Sequence, residues 1–228
     1  MPGVLVLNGG AEFGPGNQAQ DQILIASRRP GPAYLLSAAV ARHRPHLALA
    51  AARDWFAGLG LELDDAGVLT RADAESPEAE ARVLGAGLIY IAGGDPDVLI
   101  EALVGTRVGA ALLRAWAQGA ALGGSSAGAM ALCEHCLVPG ARGWGVARGL
   151  GLVPNSAVLP HFVGSDARAR EADLTGARLI GLPERTAAVY SDGHWRVAGE
   201  SAVTLIQGDT RLVYRPGEEL DAMPEPVA

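Results

Sequence analysis

The stretch Ala121-Leu122-Gly123-Gly124-Ser125-Ser126-Ala127-Gly128-Ala129-Met130 decides the fold. A short apolar run enters Gly-Ser-Ser-Ala-Gly, and a helix-forming run of alanine, methionine and leucine leaves it. Gly-x-Ser-x-Gly between a strand and a helix is a nucleophile elbow, a strained turn that exposes one side chain. Small flanking residues are needed because the two backbones approach closely there. The spacing puts Ser126, not Ser125, at the apex. The helix start also aims backbone amides and the positive end of its dipole at the site. The same composition can serve as a plain β–α connection or a phosphate cradle; the strand and helix around it favour the elbow.

Outward from this turn, compact apolar runs alternate with helical stretches. Val4–Leu7, Ala33–Ser37, Leu88–Ile91 and Ala120–Leu122 lack polar alternation and read as strands buried on both faces. Leu47 to Gly58 reads as a helix with Leu47, Ala51, Trp55 and Leu59 near one face. Ser76-Pro77-Glu78 is a helix start, with serine as N-cap and proline at the first position. Asp97 to Gln118 is helical, broken near Gly105, with Gly119 as C-cap. This order predicts an α/β fold: a mostly parallel, doubly wound sheet flanked by helices. In the last third, Ala187–Tyr190, Trp195–Val197, Val203–Ile206 and Leu212–Arg215 read as short antiparallel strands. Turns at Asp192-Gly193, Ala198-Gly199 and Gly208-Asp209 separate them. They extend the sheet edge or form a small added layer. The tail Met223-Pro224-Glu225-Pro226 reads as frayed.

A chain of 228 residues with 49% hydrophobic and 19% charged residues suits one packed domain over 1–228. A net charge of −7 argues against a nucleic-acid partner. No secretory leader is visible, and no run approaches the roughly 18 apolar residues of a membrane span. A cytoplasmic location is the default expectation, with no membrane partner. Cys133 and Cys136 are the only cysteines, so disulfides do not hold the fold. Cys133-Glu134-His135-Cys136 is half of a zinc site without a second half, and on a helix after the elbow the two thiols would pack on one face. No metal and no cofactor is expected. Asn8-Gly9-Gly10 lacks the remainder of a dinucleotide fingerprint.

A nucleophilic serine needs a base. Of five histidines, His43 and His46 lie in a polar surface stretch and His194 at a hairpin turn. His135, on the helix after the elbow, points away from the apex. His161 ends the apolar run Ala157-Val158-Leu159-Pro160, and strand ends are where doubly wound sheets keep their chemistry. The third member should be a buried acid that orients this histidine. Glu184, in Leu182-Pro183-Glu184-Arg185 before an apolar strand, is the candidate, with Asp166 and Asp192 as rivals. The order serine, histidine, glutamate differs from that of ordinary α/β-hydrolases.

In this order the segments resemble the peptidase E and cyanophycinase family of serine peptidases, whose fold is like class I glutamine amidotransferases. The resemblance rests on Leu7-Asn8-Gly9-Gly10-Ala11-Glu12, Ile91-Ala92-Gly93-Gly94-Asp95, Gly124–Ala129, Pro160-His161-Phe162 and Gly181–Ala187. It implies Ser126 as nucleophile, His161 as general base and then acid, Glu184 as its orienting group, and the amides of Gly94 and Ala127 as oxyanion hole. Peptidase E members carry an aspartate between serine and histidine. Here that interval holds Glu134 and no aspartate, which points to Glu184. Cyanophycinases follow Gly-Gly-Asp with glutamine and precede the histidine with Asp-Gln. Here Pro96 and Leu159-Pro160 stand there, and the later arginine series is reduced to Arg168 and Arg170.

The resemblance therefore implies a dipeptidase or aminopeptidase on short peptides, with N-terminal aspartate as a candidate specificity. A cyanophycinase-like β-aspartyl isopeptidase and a catalytically silent small-ligand binder of the same fold are the alternatives. Candidate substrate contacts are Asp95, Arg170 and Trp144, the last in a glycine-rich loop. An arginine pairing a substrate carboxylate would come from Arg142, Arg148, Arg168, Arg170 or Arg185. A homodimer is the default assembly.

Overall fold

The computed structural model describes residues 1–141, 143–174 and 176–227. Arg142, one of the arginines considered above, lies outside the described residues. A seven-stranded sheet has the order β11-β10-β1-β5-β4-β2-β3. Its parallel part comprises β1 (Leu5–Asn8), β2 (Ala33–Leu36), β3 (Asp64–Asp65), β4 (Leu88–Ile91) and β5 (Ala121–Ser125). The hairpin of β10 (Thr186–Ser191) and β11 (His194–Gly199) extends it antiparallel beside β1. A four-stranded sheet, order β13-β12-β9-β8, joins β8 (Ser156–Pro160), β9 (Arg178–Leu182), β12 (Val203–Gln207) and β13 (Thr210–Tyr214). The C-terminal strands thus do both things foreseen for them: β10 and β11 lengthen the main sheet, while β12 and β13 build a second one.

The main sheet is covered on both faces because its central strands β1, β2, β4 and β5 carry almost only apolar or small residues. Leu5, Leu7, Ile89 and Ile91 point into one core with Leu99, Leu103 and Leu112 from α5 (Pro96–Leu103) and α6 (Arg107–Ala117). Val6, Leu88 and Tyr90 point into the other, with Leu24 from α1 (Gln18–Ser27) and Phe56 from α2 (Pro45–Gly58). Each fully buried side chain of this size contributes about 1.5–3 kcal/mol. Gly105 breaks the long helical stretch between α5 and α6 at positive φ, as its sequence implied. The helix predicted from Leu47 begins two residues earlier, at Pro45. Its buried residues are Ala52 and Phe56, and Leu47 is exposed, because α2 meets the sheet through the aromatic cluster of Phe13, Phe56 and Tyr90.

Three expectations are corrected. The helix after the elbow, α7 (Ala127–Leu132), stops before the cysteines, and Cys136 and His135 lie in β6 (His135–Gly140) of a hairpin with β7 (Gly143–Arg148). Amides of Leu150, Val153 and Gly151 take the carbonyls of Ala131, Leu132 and Cys133, which a longer helix would have used. Trp144 consequently sits in β7, not in a loop. The tail is docked, not frayed: the Trp195 indole donates to the Pro224 carbonyl at 2.8 Å, and the Val227 amide to Leu152.

One buried acid carries a measurable consequence. Asp21, fully buried on α1, accepts the Trp55 indole N–H at 2.7 Å through one oxygen, and its other oxygen has no partner among the described residues. Burial pushes its carboxyl up to about 7; the Trp55 bond opposes this and the nearby Glu12 charge adds to it. A raised folded-state value means that the native state holds the proton more tightly than the unfolded chain. Its contribution is complete below about pH 4 and is lost as pH rises through about 7. Asp21→Asn removes the titration. The variant is expected to gain over the parent progressively between pH 4 and 7, the gain being on the order of 2–3 kcal/mol larger at pH 8 than at pH 5. Urea unfolding at pH 5 and pH 8 checks this, and an equal difference at both pH values would refute it.

Candidate active site

The elbow has the geometry its spacing implies. Ser126 follows β5 with φ 48° and ψ −113°, a left-handed conformation costly for a residue with a Cβ. It is held from both sides: its amide donates to the Asn8 carbonyl at 3.0 Å, and its carbonyl accepts the Met130 amide at 3.0 Å. The flanking glycines are sterically required. A Cβ on Gly124 would stand 2.6 Å from the Gly128 carbonyl carbon, and one on Gly128 only 2.3 Å from the Ile91 carbonyl oxygen.

His161 follows β8, which belongs to the smaller sheet and not to the doubly wound one. It reaches the elbow because its amide donates to the Gly9 carbonyl at 2.9 Å, tying the smaller sheet to the turn after β1, while the Phe162 amide donates to Leu182 of β9 at 3.0 Å. The imidazole Nε2 lies 3.0 Å from Ser126 Oγ, and Nδ1 lies 2.9 Å from Glu184 Oε1. With Nδ1–H donating to the carboxylate, Nε2 is free to accept the serine proton, the tautomer a general base requires. Gly10 forms the floor under the ring: a Cβ there would stand 2.4 Å from His161 Cε1.

Glu184 occupies the turn between β9 and β10. The turn is tied to the β1 loop by the Arg185 amide, which donates to Gly10, and by the Gly9 amide, which donates to Thr186. The orienting acid was expected to be buried, yet 54% of the Glu184 side chain is exposed, beside 48% for His161. The pair lies at the mouth of the site because β10 enters beside β1 from the solvent edge of the turn. The rivals lie elsewhere: Asp166 is held by Arg170 and Arg211, each at 2.9 Å, and Asp192 sits in the β10–β11 hairpin turn. Glu134 accepts the Asn155 amide at 2.7 Å and braces a loop.

Gly94 and Ala127 lie beside Ser126 on one cavity of about 430 Å³. Neither amide donates to a protein acceptor among the described residues. Met130, Leu137, Leu159 and Phe162 make much of the wall apolar, and Pro96 lies on it too. Trp144 lines this cavity with Arg168, whose guanidinium carbon stands 4.7 Å over the indole. Arg168 has no carboxylate partner among the described residues. Arg170 does not reach the cavity, since it is turned onto Asp166. The Asp95 carboxylate is turned away too, and meets His43 Nε2 at 3.1 Å. Sequence spacing could not separate Arg168 from Arg170, since both lie on the short α8 (Ala167–Glu171). Among the described residues no group of three His, Cys, Asp or Glu could hold a metal ion, and no helix is long and apolar enough to cross a membrane.

The sequence profile of peptidase family S51 matches residues 5–198. The chain belongs to peptidase family S51. Cyanophycinases of Synechococcus elongatus and Thermosynechococcus vestitus are each 33% identical to it over 168 residues, 67% of this chain and 52% of theirs. The chain thus spans about half the length of these curated relatives. The crystal structure of a peptidase from an acI-B1 Actinobacterium superposes with a TM-score of 0.84 at 31% identity, covering 96% of this chain and 97% of that one. A peptidase E-like protein from Listeria monocytogenes, 15% identical over 94% of this chain and 99% of its own, has a TM-score of 0.52 and shares the fold. The S51 match spans the elbow, His161 and Glu184 alike.

Proposed function

We propose that this S51 member is a serine peptidase that cleaves short peptides presenting a carboxylate close to the scissile bond. The observation that carries the reading is the continuous chain Ser126 Oγ, His161 Nε2, His161 Nδ1, Glu184 Oε1, with steps of 3.0 and 2.9 Å. In the proposed mechanism Ser126 Oγ attacks the scissile carbonyl as His161 Nε2 takes its proton. Glu184 holds the ring and stabilises the imidazolium. The developing oxyanion is received by the Gly94 and Ala127 amides, each able to supply about 3–4 kcal/mol of transition-state stabilisation. His161 then protonates the leaving amine, and water, activated by the same imidazole, releases the acid from the acyl-enzyme.

The carboxylate preference rests on Arg168, a cation with no carboxylate partner among the described residues, on the wall of a largely apolar cavity and stacked on an indole that limits its freedom. A charge-assisted bond of this type is worth about 1.5–3 kcal/mol. Arg168→Ala is accordingly expected to raise KM for Asp-first dipeptides about 10–100-fold while neutral-first substrates change little. Arg170→Ala, with its side chain committed to Asp166, should leave that ratio intact. Equal losses on acidic and neutral substrates in Arg168→Ala would remove the proposed specificity.

The cyanophycinase relatives favour a second reading, cleavage of a β-aspartyl bond. Pro96, Leu159 and Pro160 on the cavity wall argue against a polymer contact of the kind cyanophycinases make. A panel of Asp-first, Arg-first and neutral-first dipeptides with a β-Asp-Arg dipeptide, run beside Ser126→Ala, separates the readings. Turnover of Asp-first peptides that vanishes in the variant supports the first. Turnover of β-Asp-Arg alone supports the second. Turnover that survives Ser126→Ala sinks both.

A further inference from the structure

The two oxyanion amides come from separate parts of the chain, Gly94 from the loop after β4 and Ala127 from the elbow, so something must fix the distance between them. We propose that Glu12 is the positioning residue that does so. Its Oε1 accepts the Gly93 amide at 2.9 Å and its Oε2 accepts the Ser125 hydroxyl at 2.8 Å. One carboxylate therefore holds the residue before Gly94 and the residue before Ser126 at the same time. The inference rests on the serine-peptidase reading for its kinetic consequence, though not for its structural one.

The neighbouring amides sharpen the argument. Gly93 N–H is taken by Glu12 and Asp95 N–H by the Ala39 carbonyl at 2.8 Å. Of three successive amides, only that of Gly94 is left to face a ligand. The loop is tight around the carboxylate: a Cβ on Gly93 would stand 2.8 Å from Glu12 Oε1 and 3.1 Å from Ser126 Cβ.

The segment carrying Glu12 is built at some cost. Ala11 and Phe13, on either side of it, both have positive φ, 56° and 58°, a conformation non-glycine residues keep only where the surroundings over-determine it. Asn17 supplies that constraint by donating to the Ala11 carbonyl at 2.6 Å and to Gly14 at 3.2 Å. Its own oxygen is fixed by Asn8 and Gln20, each at 2.8 Å. Phe13 is anchored against Tyr90, ring centroids 5.3 Å apart. Glu12 neither bonds His161 nor lines the cavity, so it acts through the two loops and not on the substrate.

An interaction that matters only once the oxyanion forms should appear in kcat and not in KM. Glu12→Ala is expected to lower kcat for the best dipeptide about 100-fold or more, with KM within about 3-fold. Glu12→Gln keeps an acceptor for Gly93 and a group that can pair with the Ser125 hydroxyl, and should stay within about 10-fold of the parent. The structural arm is residue-resolved amide exchange. In the parent, Gly93 and Asp95 should exchange slowly and Gly94 fast; in Glu12→Ala, Gly93 should lose its protection. A loss that appears as a rise in KM, or a glutamine variant as impaired as the alanine one, overturns the proposal. If Glu12→Ala does not fold, the parent decides: a Gly93 amide as unprotected as Gly94 overturns it, and the protected-free-protected pattern supports it. If the parent cleaves no peptide while Gly93 protection still depends on Glu12, the positioning stands and the peptidase reading fails.

Discussion

Ser126→Ala should lower kcat by at least about 10⁴-fold while the protein still binds the product of cleavage. The substitution removes one oxygen from a residue already in its strained conformation, so the elbow, the cavity and the Arg168–Trp144 stack have no reason to change. His161→Ala should cost about as much, because without its proton acceptor at 3.0 Å the hydroxyl is an ordinary alcohol. The double variant should be little worse than either single one, since the two groups perform one step between them. Pre-steady-state kinetics on the three variants, with binding measured calorimetrically, tests this. Losses that multiply would mean that Ser126 and His161 do not act as a unit and that the 3.0 Å contact is incidental.

Gly10→Ala should lower kcat about 100-fold or more without replacing any reacting group. The new methyl would lie 2.4 Å from His161 Cε1 and 2.8 Å from Nδ1, inside any permitted contact. The ring must move by the best part of an ångström. It then leaves Ser126, Glu184 or both, and a displacement of that size costs about two orders of magnitude in rate. Backbone strain enters too, because Gly10 has φ 134°. Gly193→Ala in the β10–β11 turn is the control: φ there is 85° and nothing stands within 4 Å of the added carbon. Both variants should lose some stability by thermal unfolding, and only Gly10→Ala should lose activity. Full activity in Gly10→Ala would mean that the ring does not rest where the structure puts it.

Much of this was readable before any coordinates, and the parts that were not share a cause. The parallel strands declared themselves because every side chain in Val4–Leu7 and Leu88–Ile91 is apolar. The elbow did so because Gly124 and Gly128 bracket Ser126 at the spacing a close strand–helix crossing needs. His161 and Glu184 were nominated by local context and by the order of segments. The β6–β7 hairpin was misread because Cys-Glu-His-Cys has helical spacing, and the amides that end α7 come from residues 150–153, beyond the reach of local pattern. The exposed position of Glu184 was equally hidden, since it depends on which strand pairs with β1. Arg168 and Arg170 look alike in sequence and part only when Asp166 claims one of them. The partners of Glu12 lie 81 and 113 residues away, so no window on the sequence could attach a task to that residue.

The placement of β10 has a consequence for how the molecule comes into being. The elbow and four of its neighbouring strands are complete by Leu132, yet the open side of β1 is closed only when Thr186–Ser191 pairs with it, Leu5 facing Tyr190 and Asn8 facing Ala187. The carboxylate that orients the histidine emerges just ahead of that strand. A ribosome releases it some sixty residues after the serine, and pairing of strands this far apart in the chain is slow relative to local structure. During synthesis the chain therefore carries its most reactive-looking feature for a long interval without the means to use it. In the proposed mechanism the Ser126–His161–Glu184 relay is assembled only at that closure.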